Sequence, residues 1–441
     1  MQTSYDLCMG DEHLTVSPRQ LGTQINSCTT RVRSVRHLCV HSLLDTPVVQ
    51  EIRRGLVGVE SRTVAGRSDE IRLVHLSSGR TERGTGLRIL LDGYWLESGP
   101  PSGHGLVRAI VEHWTQEYPN DEVFVLMPKR RASDAVATPD RFTLVMTNLR
   151  FHPLINWFGL RSAERRHGPF DLVLAQNFSS SSPQGVVFIH DVLFQSNPEW
   201  FGFKERLYFG LMTLSARFSK SVLTSSDTEK NRIMRHNPHL KRVVATGLGM
   251  PGRDRTEDEQ DAVAHLTPGS FVLSVGRLNI RKNLTRTIHG ALESGTLSPE
   301  APLVIVGEAS GLMNDRTEEI LAAERRGDVV FLGFVPDAQL IWLYGNCRFM
   351  VFLSLDEGYG LPPLEALSAG ATVLASDIPV MREVLGGSAT YVDPLDVGEI
   401  SRSIKRLHHT SGSDDRASAP PGLRPWSSVL AIMREEASFH E

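Results

Sequence analysis

Short apolar runs of four to six residues recur from residue 87 to residue 375, and they constrain the fold more than any other feature. A run of this length suits a strand buried on both faces, as in a parallel sheet, and is too short for a helix. The runs lie at 87–92, 123–126, 143–146, 171–174, 186–189 and 221–224, and again at 271–275, 303–306, 329–332, 349–353 and 372–375. Helical patterns such as 106–114 and 204–218 lie between them. The sequence therefore predicts an α/β protein with parallel sheets and helices on both faces.

A stretch rich in proline, glycine and charge separates the two series of runs at 251–268. Such a composition is typical of a linker. We therefore expect two doubly wound, Rossmann-like domains, one over residues 86–252 and one over residues 268–410. A final helix is predicted within residues 422–441. Residues 1–85 show weak periodicity and are predicted to form a loosely ordered or disordered N-terminal extension, with a small subdomain as the alternative.

Composition argues against several classes of protein. The net charge of −4 offers no generalised nucleic-acid surface, so no nucleic-acid partner is expected. The four cysteines form no CxxC pair and the histidines show no metal spacing, so we expect neither a disulfide framework nor a metal site. No apolar run approaches the roughly 18 residues of a membrane-spanning helix, and the N-terminus lacks the pattern of a secretory signal. A cytoplasmic protein is the resulting expectation.

Two carboxylates flank a Gly/Pro loop that follows the apolar run at 349–353. Glu357 is predicted to lie in the loop, and Glu365 in the first turn or so of the following helix. A glycine-bearing loop at a helix N-terminus presents backbone N–H groups to an anion. Carboxylates would repel phosphate but accept hydrogen bonds from hydroxyl groups. A ligand that carries both phosphates and hydroxyls, such as a nucleotide-sugar, satisfies both parts of this pattern.

Three further polar groups fall at predicted strand ends, where open α/β sheets bind ligands. They are a glycine-rich loop at 99–105 that contains Gly103 and Gly105, the pair His190 and Asp191, and the segment 276–282 with Arg277 and Lys282. Arg277 and Lys282 would balance the charge of a departing diphosphate through charge-assisted hydrogen bonds of about 1.5–3 kcal/mol each. The alternatives are solvated cations, a structural histidine and glycines that only form a turn. We expect His104, His152 and His236 to be surface or structural residues.

Two segments together resemble a known family. Residues 274–284 read SVGRLNIRKNL, and residues 357–366 read EGYGLPPLEA. This combination closely resembles the retaining glycosyltransferases of family 4, and the resemblance covers about residues 87–440. It implies the GT-B fold, in which two Rossmann-like domains face each other across a cleft. Residues 423–428 resemble the start of a final helix that, in such enzymes, crosses back to the first domain.

The resemblance also implies roles for single residues. Arg277 and Lys282 would hold the donor diphosphate, Glu357 would contact sugar hydroxyls, and Glu365 would bind the nucleotide ribose. His190 corresponds to an active-site histidine near the sugar, so the implied catalytic set is His190, Glu357, Arg277 and Lys282. The implied donor-binding set is Gly103, Gly105, Gly276, Arg277, Lys282, Val335, Glu357, Gly360, Leu361 and Glu365.

The activity that the resemblance implies is transfer of a hexose from a nucleoside-diphosphate sugar, GDP-mannose-like or a UDP-sugar, with retained configuration. The acceptor would be a saccharide or a lipid-linked saccharide in bacterial polysaccharide or glycolipid synthesis. No cofactor and no metal are expected. The basic stretch at 204–220 would allow peripheral contact with the inner face of the membrane, with a solvated helix face as the alternative. Two other readings stay open: a catalytically silent nucleotide-sugar-binding module and a GT-B-fold sugar-nucleotide isomerase.

Overall fold

Two sheets, each with all its strands parallel, organise the chain between residues 84 and 441 in the computed structural model. The structure describes residues 5–9, 12–16, 86–131, 142–250, 263, 266–308, 317–410 and 420–439. Residues 1–83 form a separate unit, in which strands β1 (Tyr5–Met9) and β2 (Glu12–Val16) pair antiparallel. The rest of the predicted N-terminal extension and most of the predicted linker at 251–268 lie outside the described residues.

The first sheet has seven strands in the order β5-β4-β3-β6-β7-β8-β9. The strands are β3 (Arg88–Asp92), β4 (Glu122–Pro128), β5 (Thr143–Thr147), β6 (Leu172–Gln176), β7 (Gly185–Phe188), β8 (Ser221–Thr224) and β9 (Val243–Ala245). All residues of β6, β7 and β8 are buried. Helices therefore cover both faces of the sheet, as the short apolar runs predicted.

The helices of this half connect successive strands. They are α1 (Pro101–Glu117), α2 (His152–Leu154), which continues through a π-helical segment (Ile155–Leu160) into α3 (Arg161–His167), then α4 (Leu193–Ser196), α5 (Phe203–Ala216) and α6 (Asp227–His236). The N-terminus of α6 is capped by Ser226, whose hydroxyl accepts a hydrogen bond from the Glu229 backbone N–H at 3.0 Å. Serine is among the residues preferred at a helix N-cap.

The second sheet has six strands in the order β12-β11-β10-β13-β14-β15. The strands are β10 (Val272–Val275), β11 (Leu303–Val306), β12 (Val329–Gly333), β13 (Phe349–Phe352), β14 (Val373–Ser376) and β15 (Thr390–Val392). The helices are α7 (Leu284–Glu293), α8 (Glu318–Arg326), α9 (Asp337–Asn346), α10 (Leu361–Ser368), α11 (Pro379–Leu385), α12 (Val397–His409) and α13 (Trp426–Glu435). Among the described residues, no helix combines the length and the apolar character needed to cross a membrane.

The predicted glycine-rich loop at 99–105 is wrong in its extent, because helix α1 already begins at Pro101. Proline is favourable at the first helical position, since its fixed φ suits the helix and its missing N–H is not needed there. The His104 backbone N–H donates to the Pro100 carbonyl at 2.9 Å and closes the first turn. Gly103 and Gly105 are therefore helical residues.

Helix α13 packs against α1 in the first half of the structure. The Arg434 guanidinium donates to both carboxylate oxygens of Asp121, each at 3.0 Å, and the Trp426 indole N–H donates to the Met250 carbonyl at 2.8 Å. Arg242 makes an ion pair with Glu436 just after the helix, at 2.7 Å. The end of the chain thus connects the second sheet back to the first.

Asp121 lies at the centre of this attachment. Its carboxylate also accepts hydrogen bonds from the Leu87 backbone N–H at 2.7 Å and from the Trp114 indole at 3.0 Å. Removing it leaves these donors without their acceptor, and each such loss costs about 1–3 kcal/mol. We therefore expect Asp121→Ala to lower the midpoint of urea unfolding markedly. Arg325→Ala, which breaks an exposed pair with Glu318, is the control and should leave the midpoint unchanged. Equal midpoints for both variants would contradict the role of Asp121.

Candidate active site

The loop that carries Glu357 connects β13 to helix α10 at the carboxyl edge of the second sheet. Gly360 caps α10 with a φ of +105°, a conformation that side chains rarely adopt. A Cβ at Gly360 would also lie 2.4 Å from the Met381 methyl group. Glycine is therefore required at this turn. Glu357 lies in the loop as predicted, while Glu365 is the fifth residue of α10 and lies in its second turn.

The Glu357 carboxylate is shared by two cations. Lys282 Nζ donates to Glu357 Oε1 at 2.6 Å, and the Arg281 guanidinium donates to Oε2 at 3.0 Å. Burial alone raises the pKa of Glu357, but Arg281 and Lys282 outweigh burial and lower that pKa to about 2. Glu357 is therefore ionised throughout the physiological range. The sequence pointed to Lys282 at this place but assigned no role to Arg281.

The sheet topology explains why these residues meet. Strands β10 and β13 are neighbours in the sheet, and the strand order reverses between them. Lys282 follows β10 and Glu357 follows β13, so both lie in the crevice at the switch point where open α/β sheets bind ligands. Gly276 has a φ of +150°, and a Cβ there would lie 2.7 Å from Lys282 Cε. Its missing side chain lets the lysine cross the end of β10.

Arg277 is exposed to solvent and lies apart from the Glu357 contacts. Partial burial lowers the pKa of Arg277, and the neighbouring Arg281 guanidinium lowers it further. The positive charges of residues 277, 281 and 282 are thus concentrated at one place. An anion bound there would gain from all three cations.

Glu365 is buried, and the Tyr344 hydroxyl donates to its Oε2 at 2.8 Å. Tyr344 comes from helix α9 and has no signal in the sequence that marks it as a site residue. Val335 is buried in the core, whereas its neighbour Phe334 is 67% exposed. Between these two residues, Phe334 therefore offers the more accessible surface to a ligand.

His190 follows β7 and lies beside two aromatic rings. Its ring centroid is 5.9 Å from that of Trp95 and 5.2 Å from that of Phe188. Burial lowers the pKa of His190 to about 4, although the Asp191 carboxylate acts in the opposite direction. Within the described part of the chain, the buried Nε2 atom has no hydrogen-bond partner. A neutral imidazole with a buried, unbonded nitrogen is suited to a hydroxyl group of a ligand.

Gly103 affects the surroundings of His190 because it lies against the Trp95 ring. A Cβ at Gly103 would lie 2.6 Å from the Trp95 ring, so glycine allows the indole to pack on helix α1. His104 Nδ1 lies 2.9 Å from the Trp95 carbonyl oxygen, which further fixes this residue. The glycine predicted as a donor contact therefore has a visible structural role in placing the aromatic ring beside His190.

A cavity of about 220 Å³ lies between the two halves of the structure. It is lined from the first half by residues that include His190, Asp191 and Trp200, and from the second half by Arg277, Asn279 and Arg281. The structure thus places His190 and Arg277 at one cavity. The other predicted site residues are not part of this lining: Gly103, Gly105, Gly276, Lys282, Val335, Glu357, Gly360, Leu361 and Glu365.

His152 is a buried structural residue, and the surface alternative for it is wrong. Its Nε2 atom lies 2.7 Å from Asp92 Oδ2, and its ring stacks on Tyr94 with centroids 4.0 Å apart. Burial raises the pKa of Asp92, but His152, together with hydrogen bonds from Tyr94 and Asn156, lowers it overall. The pair fixes the turn after β3 on which Trp95 lies. Among the described residues, no group of three or more His, Cys, Asp or Glu side chains has a metal-binding arrangement.

The two facing Rossmann-like units define the fold as GT-B, and solved structures agree. The glycosyltransferase WaaG, involved in lipopolysaccharide biosynthesis, superposes with a TM-score of 0.53 at 17% identity, covering 80% of this chain and 96% of that chain. Sucrose-phosphate synthase from Thermosynechococcus elongatus gives a TM-score of 0.53 at 17% identity, covering 80% of this chain and 94% of that one. At this level of identity the likeness concerns the fold alone.

Comparison of the sequence with known families points to a class of protein. Residues 256–419 match the family described as glycosyl transferases group 1. The chain is 37% identical over 145 residues to serotype-specific mannosyltransferase WbdA of Escherichia coli, which covers 32% of this chain and 17% of WbdA. It is 30% identical over 234 residues to O-antigen chain mannosyltransferase B of Escherichia coli, which covers 50% of this chain and 60% of the relative. These matches support the glycosyltransferase superfamily. The chain thus spans less than two thirds of these relatives.

The burial of His190 predicts that its imidazole titrates at an unusually low pH. We expect the imidazole to stay neutral at pH 7 and to titrate near pH 4, because burial disfavours its charged form. The unfolded chain takes up this proton near pH 6.5, so the His190 contribution lowers the stability as the pH falls from 6.5 towards 4. NMR of ¹⁵N-histidine-labelled protein would measure the pKa, with the His190→Gln variant to assign the signal. A pKa at or above 6.5 would contradict this environment.

Proposed function

We propose that the protein is a retaining glycosyltransferase of family 4 that transfers a hexose from a nucleoside-diphosphate sugar to an acceptor hydroxyl. One observation carries the proposal: Lys282 and Arg281 share the ionised Glu357 at the switch point of the second sheet, and Arg277 and Arg281 line a cavity that also contains His190. Cations for a diphosphate and groups for sugar hydroxyls are thus present at one cleft. The match of residues 256–419 to glycosyl transferases group 1 supports it.

The hard step of such a transfer is departure of the diphosphate, on which negative charge develops. Lys282, Arg277 and the backbone N–H groups at Gly360 and Leu361 would stabilise that charge in the proposed reaction. Preorganised donors of this kind typically contribute about 10²–10³ in rate each. The ionised Glu357 and the neutral His190 would hold hydroxyl groups of the sugar. The leaving phosphate would take the proton of the acceptor, so the scheme needs neither a metal nor a protein base.

The donor that the relatives favour is GDP-mannose. WbdA, O-antigen chain mannosyltransferase B and RfbU of Salmonella typhimurium are all mannosyltransferases by name. A further relative, 29% identical over 158 residues, is the GDP-mannose:cellobiosyl-diphosphopolyprenol alpha-mannosyltransferase of Xanthomonas oryzae. We therefore propose mannose transfer to a saccharide or lipid-linked saccharide in bacterial polysaccharide synthesis. In this scheme Glu365 binds the ribose and the segment 333–336 lies against the base.

An apolar face on the first half fits a lipid-linked acceptor. Seven large apolar side chains are exposed there: Phe151, Leu154, Phe158, Phe203, Leu207, Leu214 and Phe218. Ring contacts join its two segments, with centroids 5.8 Å apart for Phe151 and Tyr208 and 5.1 Å apart for Trp157 and Phe218. Exposed cations lie among them, including Lys204, Arg206 and Arg217. We propose that this apolar face makes peripheral contact with an anionic membrane surface.

The donor site is tested with GDP-mannose, UDP-glucose and UDP-galactose. We expect GDP-mannose to raise the unfolding temperature increasingly with concentration, because a ligand that binds only the folded state stabilises it. Lys282→Ala should lower the release of GDP or transfer of mannose by more than roughly tenfold, with the fold intact. Lys405→Ala, which removes an exposed lysine of α12, is the control. No nucleoside diphosphate release from any of these donors, with or without acceptor, would overturn the proposed activity.

The apolar face is tested by sedimentation with vesicles. Phe203 is 80% exposed and Leu207 is 66% exposed, so Phe203→Ser/Leu207→Ser should alter membrane affinity without disturbing the core. Burying such side chains contributes about 1.5–3 kcal/mol each, so binding to phosphatidylglycerol-containing vesicles should fall at least tenfold. Leu395→Ser, at an exposed position of the second half, is the control. Equal vesicle binding by the wild type and both variants would exclude contact through this face.

A further inference from the structure

A buried ion pair in helix α6 connects the two halves of the candidate site. Glu229 and Arg232 are both buried, and the Arg232 guanidinium donates to Glu229 Oε2. Neither residue lines the cavity that contains His190 and Arg277. Buried charges are costly unless several partners satisfy them, so the partners of this pair indicate what it does.

Glu229 bonds to the segment that follows His190, whereas Arg232 bonds to the loop that carries Glu357. Glu229 Oε1 accepts a hydrogen bond at 2.7 Å from the backbone N–H of Val192, two residues after His190. Arg232 donates to Asp356 Oδ1 at 2.5 Å and to the Glu357 carbonyl at 3.3 Å. The chain of contacts from the His190 segment to the Glu357 loop therefore passes through two side chains only.

Other contacts hold the same loop at the same place. The hydroxyls of Ser225 and Ser226 donate to the Gly358 carbonyl at 3.1 and 2.9 Å. A Cβ at Gly358 would lie 2.9 Å from the His190 carbonyl oxygen, so the loop approaches as closely as glycine allows. The Glu383 carboxylate of α11 accepts from the backbone N–H groups of Asp227 and Thr228 at 2.7 and 2.8 Å. Helix α6 is thus attached to the second half at its N-terminus and through Arg232.

We propose that Glu229 and Arg232 are a positioning pair that sets the Glu357 loop relative to His190 when the two halves are closed. The pair acts through the backbone of residues 192 and 357 and through Asp356, and it does not contact the donor. This inference rests on the proposed transfer reaction. It adds that two side chains of the first half, Glu229 and Arg232, hold together the parts of the site that the two halves supply.

The variant Arg232→Met tests the bridge. The fold should tolerate it, because burial already raises the pKa of Glu229 to about 8 in spite of Arg232, and Glu229 can become neutral by taking up a proton. Arg235→Met, at an exposed position of the same helix, is the matched control. Asp356→Asn weakens the bridge from the other half and supplies a second variant if Arg232→Met does not fold.

Hydrogen–deuterium exchange without ligand gives a readout that is independent of activity. We expect Arg232→Met and Asp356→Asn to increase exchange of the peptide covering residues 353–360, and Arg235→Met to leave it as in the wild type. Arg232→Lys keeps the charge but loses the second donor group. Its exchange in this peptide should be intermediate between that of the wild type and that of Arg232→Met. If both bridge variants exchange this peptide at the wild-type rate, the proposal is wrong. This outcome does not depend on whether the chain transfers sugar.

Kinetics separates positioning from binding. With GDP-mannose as donor, we expect Arg232→Met to lower kcat roughly tenfold to hundredfold, since small misplacements of reacting groups cost about this much. The Kd for GDP should change by less than threefold, and the double variant with Asp356→Asn should be no slower than the slower single variant. A loss of GDP affinity equal to the loss of kcat/KM would make Arg232 a donor-binding residue and overturn the positioning role. If the wild type turns over none of the donors but the bridge variants still change hydrogen–deuterium exchange at 353–360, the transferase function is rejected. The positioning role of Glu229 and Arg232 is then retained.

Discussion

The sharing of one buried carboxylate by two cations is the interaction on which the candidate site depends. Glu357 is removed from water, and an unpaired charge in that place would cost several kcal/mol. Lys282 at 2.6 Å and Arg281 at 3.0 Å compensate for this loss of hydration. The loop after β13 and the turn after β10 are thereby fixed to each other. The same contacts keep Glu357 ionised and hold two positive charges, those of Arg281 and Lys282, at one edge of the sheet.

The second constraint is that each half supplies only part of the site. The cations and Glu357 belong to the second sheet, whereas His190 and Trp95 belong to the first. Polar contacts between the halves include two serine hydroxyls on the Gly358 carbonyl, the Arg232 bridge, and Glu383 at the N-terminus of α6. One apolar core cluster also contains residues of both halves, among them Leu248 and Tyr359. The halves are therefore joined by polar and apolar contacts together.

Much of the fold followed from local pattern. The apolar runs became strands within a residue or two of their predicted bounds, because a run of four apolar residues has few uses other than a doubly buried strand. The Gly/Pro loop that contains Gly360 was also predicted, since a turn depends on neighbouring residues. The start of helix α1 at Pro101 was not predicted, because Gly103 and Gly105 suggested a loop. The Trp95 ring fills the space beside Gly103 in this helix, a contact that the local sequence pattern did not indicate.

The sequence by itself determined two parallel α/β units, the place of Glu357 after a strand, and the positions of Lys282, Arg277 and His190 at strand ends. These depend on short-range periodicity and on turn chemistry. Only the tertiary structure decided that Arg281 shares the Glu357 carboxylate, that Tyr344 binds Glu365, and that Asp92 pairs with His152. It also decided that Arg232 reaches Asp356, 124 positions away. Such contacts depend on which strands become neighbours and on how the two halves meet, and no local pattern of residues encodes either.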